Sequence, residues 1–336
     1  MRLHEHLRRA GLDNTIIDLS LVPKSVPGVV GLPWTEAEAY VERLPRSIVH
    51  FHNFAPGNAG VYRRLSRRHL TVLSLHNERF ADELSELDPL RRAAATWRLR
   101  RIPEIVVDNE RCLSLAARIW RRRSGIHVIP EFIPPASVPP LTHPAALALR
   151  ARCRFVLASN AWQMATHRGQ DMYGLDLLIE LMRRLVHERG LDAGLALLLP
   201  GSGGAGEPQP LFDRIRKAGL ESRVALITEP IDESSSLWRE ADIVVRATNT
   251  DGNSLSVLEA LAVGTPVVAS DCVERPPGTV LFRNRDQDDL TDRVVAVLSD
   301  LPKSRELVRQ VAIPDNAAAF VALYERLREK LERADA

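Results

Sequence analysis

Two acids lie eight positions apart in the stretch TNTDGNSLSVLEALAVGTPVVASD, residues 248–271. Asp251 sits among turn-forming residues, and Glu259 lies one turn into a stretch with helical spacing of apolar residues. A carboxylate accepts two hydrogen bonds from a diol, so Glu259 suits ribose hydroxyls. The helix starts at Asn253 or Ser254 as N-cap, leaving the backbone N–H groups of Asn253, Ser254, Leu255 and Ser256 for an anion. These amides and the helix dipole suit a diphosphate. Helical side chains lean toward the N-terminus, which tips Glu259 toward whatever is held there. Asp251 reaches the far side of the same ligand. The stretch therefore reads as a nucleotide site, with phosphates on the helix end, ribose on Glu259 and the attached group near Asp251. The plainer alternative is that Asp251 stabilises the helix end and Glu259 is a surface acid. Leu255, Leu258, Leu261 and Ala262 are expected to face the core, Gly264 to end the helix, and Pro266 to prevent its continuation.

The elements that must position these residues alternate. NTIIDLS, SIVHFHNF, LTVLSLHN and EIVVDNE read as strands, with EAEAYVERL, AGVYRRLSRRH and LRRAAATWRLRR as helices between them. After residue 150 the strands RFVLASN, LALLLPG, VALITEP, DIVVRAT and TPVVASD alternate with YGLDLLIELMRRLVHERG, PLFDRIRKAG, SSSLWREA and SLSVLEALAVG. Nearly all-apolar strands alternating with helices predict parallel sheets covered on both faces. The two series are divided by PEFIPPASVPPLTHP, six prolines in fifteen residues, a semi-rigid linker. The expectation is an α/β chain of two Rossmann-like domains facing a central cleft, with ligands at the carboxyl ends of the strands. Its boundaries are 1–132 for the first domain, 133–144 for the linker, 145–313 for the second domain, and 314–336 for a last helix.

Composition excludes several classes. The 336 residues are 45% hydrophobic and 26% charged, which suits a soluble globular chain. Cys112, Cys153 and Cys272 show no metal-ligand spacing and argue against a disulfide framework. No apolar run spans a bilayer, and MRLHEHLRRAG has no signal-peptide core, so a cytoplasmic location is expected. The net charge of +2 conceals an asymmetry: residues 1–150 carry 22 Lys and Arg against 15 Asp and Glu, the remainder 23 against 28. With aromatics at 5% and no zinc-finger or RNP pattern, no nucleic-acid partner is expected. An anionic membrane surface fits better, because RRAAATWRLRRI (91–102) and RCLSLAARIWRRR (111–123) are Arg-rich and partly apolar. Ordinary amphipathic helices with solvated Arg faces would read the same way.

In the first half, His76 follows LTVLSL at its carboxyl end, where it either hydrogen-bonds substrate hydroxyls or satisfies a neighbouring loop. His50 and His52 share a face of one strand and read as structural, because no third ligand is spaced to join them; no metal site is expected. Asn53, Asn77 and Glu78 stand at strand ends, where acceptor hydroxyls would be read. GSGGAG (201–206), with Gly201 and Gly203, is no P-loop, since no Lys-Ser/Thr follows; it reads as a loop above the nucleotide or simply a turn. No G-x-G-x-x-G follows the first strand of either half, which excludes an ordinary NAD enzyme.

The carboxyl half resembles the retaining GT-B glycosyltransferases of family 4 (glycosyl transferases group 1). Their E-x7-E motif is followed by EA-x-A-x-G-x-P, and Glu259-Ala260-Leu261-Ala262-Val263-Gly264-Thr265-Pro266 reproduces the second part, with Asp251 in place of the first Glu. LLLPGSGG, LWREADIVVRAT and HVIPEFIPP are similar to further landmarks of the family, and the resemblance extends over about residues 1–330. It departs in three places. The chain begins at the helix that usually follows a first strand, so either that strand is dispensable or the true start lies upstream. Asn160 stands where a donor-gripping Arg is usual, and Tyr173 where a Lys is usual, leaving His167, Arg168 or Arg246 to supply charge. Asp251 is one methylene shorter than Glu.

The resemblance implies catalytic roles for Asp251, Glu259 and His76, the last near the transferred sugar. It implies no cofactor or catalytic metal, and a nucleotide-sugar donor with UDP preferred over GDP. The acceptor it implies is a glycan or lipid-linked molecule in cell-envelope glycan synthesis at the inner face of the cytoplasmic membrane. The alternatives are a non-catalytic GT-B-like partner in a glycan assembly complex and a UDP-sugar epimerase.

Overall fold

The computed structural model describes residues 2–19, 28–52, 54–203, 208–229, 231, 233–252 and 254–335. It divides into two compact units, residues 1–133 with 314–336, and residues 134–313. Asn53 and Asn253 lie outside the described residues.

In the first unit, α1 (Arg2–Arg9) precedes the short parallel pair β1 (Ile16–Asp18) and β2 (Val29–Gly31) and helix α2 (Trp34–Arg43). Then come β3 (Ile48–Phe51), α3 (Ala59–Leu65), β4 (Leu70–Leu75), α4 (Arg79–Ser85), α5 (Pro89–Leu99), β5 (Glu104–Val107), α6 (Glu110–Trp120) and β6 (Ile126–Val128). Strands β3, β4, β5 and β6 lie side by side in that order, all parallel. Successive strand residues face opposite sides, so one run of apolar residues serves two cores. Leu73, Leu75, Ile105 and Val107 pack with α3, α5 and α6, while Val72 and Val106 pack under Phe320, Leu323 and Leu327 of the last helix (Ala317–Asp335).

The second unit begins with α7 (Pro144–Arg152), β7 (Phe155–Asn160) and a two-residue-per-strand hairpin, β8 (Thr166–His167) and β9 (Gln170–Asp171). There follow α8 (Leu175–Arg183), β10 (Ala193–Leu198), α9 (Gln209–Lys217), β11 (Val224–Ile227), α10 (Ser235–Glu240), β12 (Ile243–Arg246), α11 (Leu255–Ala262), β13 (Val267–Ser270), β14 (Thr279–Phe282), α12 (Gln287–Ser299) and α13 (Leu301–Arg309). The sheet order is β11-β10-β7-β12-β13-β14, all parallel. Counted within the sheet this is the 3-2-1-4-5-6 Rossmann order, whose reversal falls between β7 and β12; ligands bind outside the carboxyl ends of the strands at such a point. Leu157, Leu195, Leu197, Ile243 and Val245 fill one face and Val156, Ala158, Ala196, Leu198 and Val244 the other. Each such side chain contributes about 1.5–3 kcal/mol by leaving water.

At the amino end of this sheet Asp242 is buried and fully engaged. Its carboxylate accepts from Val156 N at 2.8 Å, Arg150 Nη1 at 2.6 Å and Arg305 Nη2 at 3.0 Å, tying α7 and α13 to β7 and β12. Among the described residues, no helix is long and apolar enough to cross a membrane. The strands missed by pattern reading, β2, β6, β8, β9 and β14, have two to four residues each, too few for a period to register.

Candidate functional site

The carboxyl ends of β7 and β12 are joined by one side chain. Arg246, the last residue of β12, donates from Nη1 to the backbone oxygen of Asn160 at 3.1 Å and to its Oδ1 at 3.2 Å. Its guanidinium carbon lies 5.7 Å from the centre of the Tyr173 ring. Asn160 and Tyr173 are the two positions without the expected cationic side chains, and both meet Arg246 instead. Gly174 makes the approach possible. With φ +67° it is the N-cap of α8, and a Cβ there would stand 2.1 Å from the Ala247 carbonyl oxygen.

Asp251 faces the same arginine. Its Oδ2 accepts from Arg246 Nε at 2.9 Å, Arg275 Nη1 at 2.8 Å and Thr248 Oγ1 at 3.1 Å, and its Oδ1 from Arg246 Nη2 at 3.1 Å and Gly252 N at 3.1 Å. Arg275 is almost wholly buried and is held further by Ser270 O at 3.0 Å and Thr248 Oγ1 at 3.1 Å. Two guanidinium groups against one carboxylate leave a formal excess of one positive charge beside the strand ends. Arg275 is a residue that spacing could not have found, since it sits in the loop after β13 and meets Asp251 only through the fold.

Burial alone would raise the Asp251 pKa, but Arg246 and then Arg275 outweigh it and hold the carboxyl at about 2 against an ordinary 3.8. A carboxyl depressed on folding stabilises fully above its unfolded pKa and ceases to do so as pH falls through the folded one. The unfolding free energy of the wild type relative to Asp251→Asn is therefore expected to fall by about 2 kcal/mol between pH 4 and pH 2. Urea titrations at each pH measure it, and a difference that stays constant across that window would remove the ion-pair explanation.

Glu259 lies on α11, apart from this cluster. Its Oε2 accepts from Trp238 Nε1 and from Ser234 Oγ, each at 2.9 Å. Trp238 is buried, and its backbone oxygen is fixed by Thr265 Oγ1 at 2.8 Å, so the carboxylate rests on a rigid support. Ser254 is the N-cap of α11 without a side-chain cap bond, and its Oγ stands 3.4 Å from Ser256 Oγ. Both serines are buried. Leu255 corrects the expected core face: it is 37% exposed, while Val257, Leu258, Ala260 and Leu261 form the buried stripe. The helix is rotated so that its first residue, Leu255, is left exposed.

The remaining expected residues are spread out. Arg168 is exposed in the β8–β9 turn, where φ +50° and the following Gly169 at +75° make the backbone of a tight hairpin. Asn249 links the 248–252 loop to this part of the chain by donating its backbone N–H to Met172 O at 3.0 Å. Gly201 opens the Pro200–Gly203 turn and donates to Trp162 O at 2.7 Å; a Cβ there would come within 2.4 Å of that oxygen. Trp162, 62% exposed just beyond β7, was not singled out from sequence. Gly203 ends the same turn.

Residues 165–300 match the family model described as glycosyl transferases group 1. This stretch is similar to the glycosyl transferases group 1. A D-inositol 3-phosphate glycosyltransferase from Nocardia farcinica is 28% identical over 163 residues, 46% of this chain and 36% of that protein. The chain spans less than half the length of the curated relatives it matches. Among solved structures, Anabaena Alr3699/HepE in complex with UDP-glucose aligns with a TM-score of 0.61 at 14% identity, over 89% of this chain and 80% of that one. Sucrose-phosphate synthase from Thermosynechococcus elongatus aligns with a TM-score of 0.64 at 17% identity, over 99% and 92%. At these identities the likeness is one of fold, and the fold is that of GT-B glycosyltransferases. Within the matched stretch, Arg246, Asp251, Ser254, Leu255, Ser256 and Glu259 run from the end of β12 into α11.

His76 belongs to the first unit. It follows β4 and donates from Nε2 to His52 O at 2.6 Å, with Nδ1 2.7 Å from Glu131 Oε2. Burial lowers its pKa, but Glu131 and Asp108 outweigh that and raise it overall. Burial and then the Glu131 charge push Asp108 up to about 7. His50 is satisfied by Ser74 Oγ at 2.7 Å and by Tyr324 Oη of the last helix, a structural arrangement. Asn77 Oδ1 accepts from Arg79 N at 2.9 Å and Glu78 pairs with Arg111 at 2.8 Å.

Proposed function

We propose that the protein is a retaining glycosyltransferase that moves a sugar from a UDP-sugar to a glycan or lipid-linked acceptor in cell-envelope glycan synthesis. The observation that carries the reading is Glu259, oriented on α11 by Trp238 and Ser234 within the stretch that matches the glycosyl transferases group 1. Its carboxylate accepts the ribose hydroxyls, and the diphosphate lies against the backbone N–H groups at Ser254–Ser256 and the positive excess of the Arg246–Asp251–Arg275 cluster. In this reading Asp251 acts through the arginines, holding them in place. Preorganised positive charge stabilises the diphosphate as the bond from the anomeric carbon to its oxygen breaks. The acceptor oxygen then bonds to that carbon, and its proton passes to the departing diphosphate oxygen. The related Anabaena protein was crystallised with UDP-glucose, which supports UDP as the donor nucleotide.

A contact with anionic membrane at the inner face of the cytoplasmic membrane is part of the same proposal. Trp97, 45% exposed on α5, lies between Arg63 at 4.0 Å and Arg101 at 3.7 Å, and Leu90 on the same helix is 83% exposed. Arginine with an aromatic ring suits a headgroup layer.

The test is the thermal midpoint with UDP, GDP and ADP for the wild type and Glu259→Ala. A ligand that binds only the folded state raises the midpoint by mass action. UDP is expected to stabilise the wild type by about 3 kcal/mol at a hundredfold excess over Kd, and the variant by much less. If no nucleotide shifts the wild type, donor binding has been lost and the non-catalytic partner becomes the better reading.

A further inference from the structure

Strands β4, β5 and β6 of the first unit end side by side, and one residue beyond each of the first two, together with Glu131 after β6, brings His76, Asp108 and Glu131 together. One ligand atom from each lies within 4.8 Å of the other two. Asp108 is 6% exposed, and its Oδ2 is buried with no hydrogen-bond partner among the described residues. An unpartnered buried carboxylate oxygen is costly.

His76 adds a second constraint. Nε2 faces the His52 carbonyl oxygen, so it must carry a hydrogen. In the neutral ring Nδ1 then presents a lone pair to the Glu131 carboxylate 2.7 Å away, oxygen against nitrogen with nothing between. A proton on Nδ1 would relieve Glu131 and a second proton would be needed on Asp108 to relieve Oδ2. A dipositive ion satisfies all three groups at once. A metal-binding histidine commonly donates its non-ligating ring N–H to a backbone carbonyl, as Nε2 does here to His52 O.

We propose that His76, Asp108 and Glu131 form a binding site for a divalent transition-metal cation, Zn2+ or Mn2+. One imidazole and two carboxylates suit these ions, and three protein ligands leave coordination positions for water or a substrate hydroxyl. The three ligands lie wholly in the first unit; His76 is shared with the expected catalytic residues, and a titration without nucleotide keeps the two readings distinguishable.

The experiment uses tag-free full-length protein stripped of metal by chelation, titrated with ZnCl2 by calorimetry without nucleotide. Asp108→Asn and Glu131→Gln are titrated in parallel, and circular dichroism checks their folding. One equivalent of Zn2+ is expected to bind the wild type at micromolar concentration or below, and each variant about tenfold or more weakly. Bound Mn2+ should likewise lose its distinct paramagnetic resonance signal in both variants. Less than one equivalent at submillimolar Zn2+, or affinity unchanged in the variants, overturns the proposal. Should Asp108→Asn not fold, Glu131→Gln decides alone, because Glu131 is only partly buried and its replacement keeps the shape.

Discussion

Asp251→Ala is expected to lower the stability of the second unit by about 3–5 kcal/mol, because it leaves two buried guanidinium groups facing each other without their carboxylate. Arg275 has 1% of its side chain exposed and Arg246 10%, so water cannot take the place of the lost charge. Their remaining partners, Asn160, Thr248 and Ser270 O, are neutral. For a unit of this size the loss corresponds to a fall in thermal midpoint of roughly 6–20 °C. Asp251→Asn keeps the shape and some hydrogen bonds and should lie between the variant and the wild type. Calorimetric melting of the three proteins measures it. Equal midpoints for Asp251→Ala and the wild type would mean that the ion pairs contribute nothing, and Asp251 would have to be reconsidered as a group that meets substrate directly.

Gly174→Ala is expected to cost about 2–5 kcal/mol by a different route. A left-handed backbone costs an L-residue roughly 1–2 kcal/mol, and forcing atoms into a filled space typically a further 1–3. The added Cβ would stand 2.1 Å from the Ala247 carbonyl oxygen, which is backbone and can only move with the chain. Ala247 follows Arg246 directly, so the shift reaches the guanidinium between Asn160 and Asp251. The variant should therefore lose UDP-induced stabilisation as well as thermal midpoint. Gly169→Ala is the control: Gly169 also has positive φ, but no atom lies within 4 Å of a Cβ there, so only the backbone cost applies. If both variants melt together, the close approach at Gly174 carries no energy.

The long elements were legible because their periods survive in the sequence. The six-residue strands β7 and β10, apolar over most of their length, and the helical spacing of α8 and α11 are each long enough to distinguish strand from helix. The same text announced Glu259 on a helix after a strand and loop, since a Gly-Thr-Pro break leaves little freedom in where α11 ends. The orientation of α11 was not legible to one residue, and Leu255 turned out exposed. At a helix end the core no longer surrounds the side chain, so an apolar residue there follows the chain path and not the stripe.

What the sequence determined by itself was local: element types, the parallel α/β class and the acid on the helix, because hydrophobic period and turn chemistry act over a few residues. Three arrangements were decided by the tertiary structure alone. Arg246 substitutes in space for side chains missing at Asn160 and Tyr173, 86 and 73 positions away. Arg275 closes on Asp251 from another loop. His76, Asp108 and Glu131 meet although no spacing links them. Parallel strands need long crossovers, so residues at neighbouring strand ends are far apart in the chain, and charges that must compensate one another there are matched only when the sheet has formed.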